Sequence, residues 1–376
     1  IGNDQPGNPG VDHGYVQYGA LRIDQRVPVA APNDYLTDAG TWLQAQNGVD
    51  LRDNTTLFNN DPRRFITFPR DLATYVHDDA LYEAYLNACL ILLSMGAPFD
   101  PGFDQLSGGG RYFLNALDIG GTFLNNIEDH RRAAGGFALY GGPHILTLVT
   151  EVATRALKAV RFQKFNTHIR LRPEALAGRI QFAGAIEAAH PQIGTPFTDL
   201  ETAIQDTVTD IRNANPGNTA FLPMAFQEGS PMHPSYGAGH ATVAGTCVTI
   251  LKAFFDTDAV FVRRNVDGVD VDMFARHQAG DQPVHFVPDA VGANLNDVVG
   301  GDFLTLEGEL NKLAANISIG RNMAGVHYYS DYYDSLRMDE EIAIGILKEQ
   351  ALCYPTDPFV MTVPTFDGDV VRIGAR

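Results

Sequence analysis

The chain has 376 residues, 45% hydrophobic and 19% charged, which is enough apolar material for a large core and excludes a disordered tail or a low-complexity linker. Its 27 Lys and Arg against 45 Asp and Glu leave a net charge of −18, so most of its surface repels nucleic acid and anionic membranes. No run reaches the roughly 18 to 20 apolar residues that span a bilayer, and a chain beginning at Ile1 shows neither Met nor signal peptide, so it reads as soluble with its location open.

The first 77 residues are rich in Gly, Pro, Asp and Asn and predict loops and short helices, one near Trp42 and Leu43, wrapped over a helical core at 78–376 in a single domain. From Asp78, Leu81, Tyr85, Ala88, Cys89 and Leu93 recur at helical spacing until Gly96 and Pro98. Further helices are predicted near 110–132, 143–166, 173–188, 198–213, 238–255 and 306–352, the last broken in its middle. Residues 256–300, rich in Asp, Gly and Pro, read as a long excursion between helices. Phe366-Asp367-Gly368-Asp369 predicts the turn of a small hairpin over Phe359–Ile373. The expected fold is all-α, two packed four-helix bundles with long loops and that hairpin. The three cysteines, Cys89, Cys247 and Cys353, are far apart and read as buried thiols.

Three remote segments carry chemistry. Between Arg155 and Arg179 lie seven basic residues, Arg155, Lys158, Arg161, Lys164, Arg170, Arg172 and Arg179, with Glu174 the only acid among them. Lys164 ends one helix and Arg172-Pro173 opens the next, so the two cations can converge across the turn. The second segment, His233-Pro-Ser-Tyr-Gly-Ala-Gly-His240-Ala-Thr, is a Gly-rich loop opening a helix, where amides and the helix dipole favour an anion beneath His240. The third is Gly320-Arg321-Asn-Met-Ala-Gly325-Val-His327-Tyr-Tyr-Ser-Asp331. Read as a continuous helix, it puts Arg321 and His327 within about 120° of one face, with Asp331 four residues on to hold the imidazole's other nitrogen. Each segment alone also suits a structural role: a solvated basic face, an ordinary turn, a core histidine. Together they supply three cations, an amide cradle, an oriented His and a second His, the set that a tetrahedral oxyanion needs.

These pieces resemble the signature shared by vanadium-dependent haloperoxidases and type 2 phosphatidic-acid phosphatases, carried here by Lys164 and Arg172-Pro173, Gly239-His240, and Arg321, His327 and Asp331. The seven residues between Lys164 and Arg172, the run Gln163-Lys-Phe-Asn-Thr-His168, His233-Pro-Ser-Tyr and Leu306-Glu-Gly-Glu-Leu-Asn-Lys-Leu-Ala are similar to the algal-type bromoperoxidases; the likeness covers roughly residues 140–376. It implies a vanadate cofactor bonded to His327 and held by Lys164, Arg172, Arg321, the Gly239 amide and His240. His240 is then the acid/base, and Lys164 polarises the oxidant. Hydrogen peroxide would oxidise chloride or bromide there and halogenate a small electron-rich organic molecule, a terpenoid among the candidates, with neither nucleic acid nor membrane as partner. Spare apolar helix faces would serve a homodimer.

Ala238 stands where the family usually has Ser, which points toward bacterial chloroperoxidases as nearer kin. A lost hydrogen bond to a charged group costs about 1.5–3 kcal/mol, and Ser235 is the nearest hydroxyl on the loop that could replace it. His233 reads as a halide-side or plain loop residue, and Arg161 as a halide or peroxide contact or an ion-pair partner of Asp331. His168 and the tyrosines at 328, 329, 332 and 333 read as structural. The run Asn265-Val-Asp267-Gly-Val-Asp270-Val-Asp272 lacks the calcium-loop spacing. Rival functions for the same pocket are vanadium-independent acid/base rearrangement of a terpenoid, an acid phosphatase, and an oxyanion-storage protein.

Overall fold

The computed structural model describes residues 14–52, 59–102, 140–266, 268–354 and 359–374. The helix expected near 110–132 lies outside the described residues. The fold is mostly helical. It is not all-α, because the first segment and residues 256–300 also form strands.

Near the N-terminus, β1 (Tyr15–Tyr18) pairs with β2 (Leu21–Asp24), and β3 (Val27–Val29) pairs with β4 (Asn59–Arg64). Helix α1 (Ala39–Gln46) is capped by the Asp38 carboxylate, which accepts from the Gly40 and Thr41 amides. The Trp42 ring of α1 lies over Gly178, where a β-carbon would fall 2.0 Å from the indole, and Trp42 Nε1 donates to the Glu174 carbonyl. Helices α2 (Pro69–Tyr75) and α3 (Glu83–Ser94) follow.

Helix α4 (Gly142–Phe162) is amphipathic, with Ile145, Leu148, Val149, Val152, Ala156 and Val160 on its buried side. The expected helices at 173–188 and 198–213 are each broken once. α5 (Pro173–Gln181) and α6 (Ala183–Ala189) meet at Phe182, and α7 (Pro196–Ala203) and α8 (Gln205–Ala214) meet at Ile204. Helix α9 (Gly239–Phe254) is buried at every position from Ala241 to Phe254, and it packs against α4, α10 (Leu306–Met323) and α11 (Tyr329–Ala351). A helix buried on every side, its Lys252 paired with Glu340, can only sit inside other elements. Gly245 lets α11 approach, since a β-carbon there would lie 2.4 Å from the Leu336 carbonyl oxygen.

The expected excursion over 256–300 is an antiparallel sheet of β5 (Val260–Val266), β6 (Val269–Ala275), β7 (Gln282–Pro288) and β8 (Leu295–Val299), in the order β6-β5-β7-β8, with β9 (Leu304–Thr305) also pairing β5. Its polar residues are cross-strand partners: Arg263 holds Asp272 and Asp297, Arg264 holds Asp281, and Asn265 donates to Asp270. Among the described residues no group of His, Cys, Asp and Glu is arranged to hold a metal ion. The C-terminal hairpin forms as expected from β10 (Met361–Pro364) and β11 (Val370–Ile373), with Gly368 at φ +85° in the turn. Cys89 and Cys247 are buried, but Cys353 is exposed just past the end of α11, a correction to its reading as a core thiol. Among the described residues no helix is long and apolar enough to cross a membrane.

Candidate oxyanion site

Helix α4 runs into one stretch of π-helix, Gln163–His168, closed by Ile169 N–H donating to the Lys164 carbonyl at 3.1 Å. Ile169 then takes φ +43°, a left-handed backbone that L-residues other than Gly rarely adopt. This corner swings Arg170 and Arg172 back beside Lys164. Lys164 Nζ donates to the carbonyls of Pro234 (2.8 Å) and Ser235 (3.1 Å), while Arg172 Nε donates to that of His233 (2.9 Å). The two cations converge, as expected, on the loop that leads into α9.

The third segment is not one helix. Arg321 lies in the last turn of α10, His327 in the connection, and Asp331 in the first turn of α11, where its carboxylate accepts from the Tyr328 amide at 3.0 Å. The His327–Asp331 spacing therefore works as a helix start whose first-turn acid reaches back to the residue before the cap. His327 Nδ1 lies 3.1 Å from Asp331 Oδ2 and Nε2 lies 3.1 Å from Arg172 Nη1. A guanidinium only donates, so Nε2 accepts and Nδ1 carries the proton toward Asp331.

His240, in the first turn of α9, sets its Nε2 2.9 Å from Asp79 Oδ1. Asp79 went unrecognised in the sequence, as did Val76, whose carbonyl accepts from Arg321 Nη1 at 3.0 Å. Both lie in the short link between α2 and α3, where nothing beyond an Asp-Asp pair marks a site.

A cavity of about 320 Å³ joins these parts. Its polar wall is Lys164, Arg321, His240, His327 and Gly239; its apolar wall is Leu81, Leu157, Val160, Phe165 and Pro231. Burial, with Arg172 and Arg321 close by, lowers the Lys164 ammonium to about 7, and burial beside Arg321 lowers Arg172 to about 10. Burial pushes His327 well below the usual imidazole range, with Arg172 and Lys164 adding to the shift. His240 is also lowered by burial, against the pull of Asp79. Burial works against the Asp331 carboxylate, but the hydrogen bonds from His327, Ser235 and the Tyr328 amide outweigh it and keep it ionised.

Lys164 and Arg172 are each lowered by burial and by neighbouring cations, whereas Arg321 is lowered by burial against the pull of Asp79 and Glu228. Arg321 Nε is buried without a hydrogen-bond partner. An oxyanion would satisfy that donor and relieve the repulsion, so the residues present fit a vanadate-like group.

Two expectations are corrected. The Ser235 hydroxyl donates to Asp331 Oδ2, so it does not replace the side chain missing at Ala238, which caps α9 fully buried. Arg161 does not pair with Asp331: it stacks over the Phe165 ring at 4.7 Å and lines the cavity, and the ion pair to Asp331 comes from Arg170 at 2.8 Å. His233 lines the cavity with Nδ1 2.9 Å from Arg172 Nη2, and its own pKa is lowered to about 4 by burial and the nearby cations. His168 packs on Tyr236.

Fold and cup together define a mostly helical protein with a buried cationic cavity. The chain is homologous to vanadium-dependent bromoperoxidases. It is 43% identical over 96% of its length to that of Corallina pilulifera, 44% identical over 96% to that of Corallina officinalis, and 30% identical over 94% to that of Ascophyllum nodosum. It covers 55%, 55% and 56% of them, and so spans about half the length of the curated relatives it matches. The chloroperoxidase kinship drawn from Ala238 has no counterpart among these three. No family model matches the chain. Among solved structures it shares the fold of the homohexameric second vanadate-dependent bromoperoxidase of Ascophyllum nodosum, with a TM-score of 0.67 at 24% identity over 96% of this chain and 58% of that one.

Proposed function

We propose that the chain is a vanadium-dependent haloperoxidase that uses hydrogen peroxide to oxidise bromide, or chloride, and halogenates an electron-rich organic molecule. The observation that carries this reading is a cavity lined by Lys164, Arg321 and His327, with Arg172 Nη1 3.1 Å from His327 Nε2 and the Arg321 Nε left without a partner. The bromoperoxidase names of the relatives favour bromide.

Lys164, Arg172, Arg321 and the Gly239 amide would hold the oxygens of vanadate, and His327 Nε2, an acceptor, would be its nitrogen ligand. Bound there, vanadate supplies a Lewis-acidic pentavalent centre that activates peroxide without changing oxidation state. Asp331 keeps the proton on His327 Nδ1, so that Nε2 keeps a lone pair, which accepts from Arg172 Nη1 here and would pass to the bound group. His240, neutral through burial and fixed by Asp79, takes and returns the proton that peroxide binding and halide oxidation require. Lys164 would place its charge beside the oxygens of the bound group, and the half-apolar cavity would limit water there. Arg161 and His233 would meet the halide at the cavity edge.

The organisation belongs to the same reading: residues 1–77 wrap a core at 78–376 in one domain, and a second helical bundle lies beside α4, α9, α10 and α11. We also propose self-association, following the homohexameric neighbour. The test is titration of metal-free protein with vanadate, followed by bromide-dependent bromination of a phenol. Activity should appear with vanadate and saturate at one equivalent. Activity independent of vanadate would favour the rearrangement reading, and phosphomonoester hydrolysis lost in His327→Ala the phosphatase.

A further inference from the structure

Seven methionines are spread along the chain. Met95, Met224, Met273 and Met361 are buried and Met338 is half-buried, which leaves two exposed thioethers, Met323 at 41% and Met232 at 80%. Met323 ends α10 and lines a separate cavity beside β2 and α2. Met232 sits at the rim of the cationic cavity. The residues on either side of it, Pro231 and His233, both line that cavity, and His233 is itself exposed, so this loop forms part of the mouth. The loop is pinned from three directions. The His233 amide donates to the Pro231 carbonyl at 2.8 Å, Arg172 Nε donates to the His233 carbonyl at 2.9 Å, and Lys164 Nζ donates to the Pro234 carbonyl at 2.8 Å. The Met232 sulfur is therefore held within a residue of the opening.

The lining itself offers an electrophilic oxidant little to attack. It is made of Lys, Arg, His, Gly, Pro, Phe and aliphatic residues, with no Cys, Met, Tyr or Trp among those described. A thioether is polarizable and readily oxidised to the sulfoxide, and Met232 brings one to the cavity's edge. We infer that Met232 is a self-modification site: hypobromous acid leaving the cavity converts its thioether to methionine sulfoxide ahead of the other exposed sulfurs, Met323 and Cys353. The inference rests on the haloperoxidase reading and adds a fate for its product. In the step, sulfur gives two electrons to bromine, an S–O bond forms as the O–Br bond breaks, and bromide and a proton are released. The sulfoxide then stands beside His233, whose Nδ1 lies 2.9 Å from Arg172 Nη2, and enzymatic reduction of the sulfoxide reverses the change.

The test turns over vanadate-loaded protein with bromide and hydrogen peroxide in the absence of an organic acceptor. Peptide mass spectrometry reads the oxygen added at Met232, Met323 and Cys353, and a second sample receives the same amount of reagent hypobromite. The ratio of Met232 to Met323 oxidation should be about ten-fold higher in turnover than with the reagent, because the product is concentrated at the mouth. Excess free methionine should abolish oxidation of Met323 and Cys353 during turnover and spare most of that at Met232. A ratio equal to the reagent's, equal suppression of all three sulfurs by free methionine, or Met232 oxidation undiminished without bromide overturns the inference. Bromination of an added phenol alongside the reagent's ratio would sink the Met232 assignment alone. Loaded protein that brominates no phenol with peroxide and bromide would sink the haloperoxidase reading, and this inference with it.

Discussion

Ala238 is the residue where this site departs most from what an oxyanion wants. It caps α9 without a side-chain acceptor, and the nearest loop hydroxyl, Ser235, is committed to Asp331. Ala238→Ser should tighten vanadate about ten-fold to a hundred-fold, from a charged hydrogen bond of roughly 1.5–3 kcal/mol. Equilibrium dialysis against the wild type reads this directly; unchanged affinity would mean that the serine turns away from the site. Lys164 sets the pH dependence. Its ammonium titrates near 7 in the free site, and a bound anion must raise that value, so binding above pH 7 takes up a proton. Oxyanion affinity should therefore fall as pH rises through 7, and Lys164→Met should bind more weakly with that slope removed. Ile169 carries strain, holding φ +43° while its side chain is 70% exposed. Ile169→Gly should stabilise the fold by about 1 kcal/mol in urea denaturation, since the side chain loses little packing and the left-handed backbone becomes free of penalty.

At the scale of elements, α11 holds a carboxylate that the proposed chemistry does not use. Asp339 is fully buried with both oxygens unpartnered, and burial pushes it up to about 8. The folded chain thus keeps a proton that the unfolded chain releases above 3.8, so this group makes stability fall as pH rises from 3.8 through 8. Asp339→Leu should raise stability at pH 8 by about 1–3 kcal/mol and flatten that part of the profile in thermal unfolding. What could be read beforehand divides along similar lines. The long helices were legible because apolar spacing reports burial, and the cations with His240 and His327 because motif spacing preserves their chemistry. The β5–β8 sheet was not, since Arg263, Arg264 and Asp272 stand where strands usually alternate apolar residues. Asp79 was not either, nor was the pairing of Arg170, one of the basic cluster, with Asp331: each acts on a partner far away in sequence, His240 for Asp79 and Asp331 for Arg170. Arg321, His327 and Asp331 were singled out on a mistaken geometry, because a helix start and a helix interior share the four-residue spacing.

Over the described residues, an acidic chain of net charge −18 keeps a cationic cup inside, held by Asp331, which ties together α11, the Ser235 loop, Arg170 and His327. The central claim is that this cup is a vanadate site ligated by His327, and vanadate binding measured on metal-free protein tests it most directly. Wild type should bind one vanadate per chain and gain thermal stability from it, whereas His327→Ala, still folded by circular dichroism, should lose the tight binding and the bromide oxidation together. Equal vanadate affinity in the folded His327→Ala variant would contradict the account.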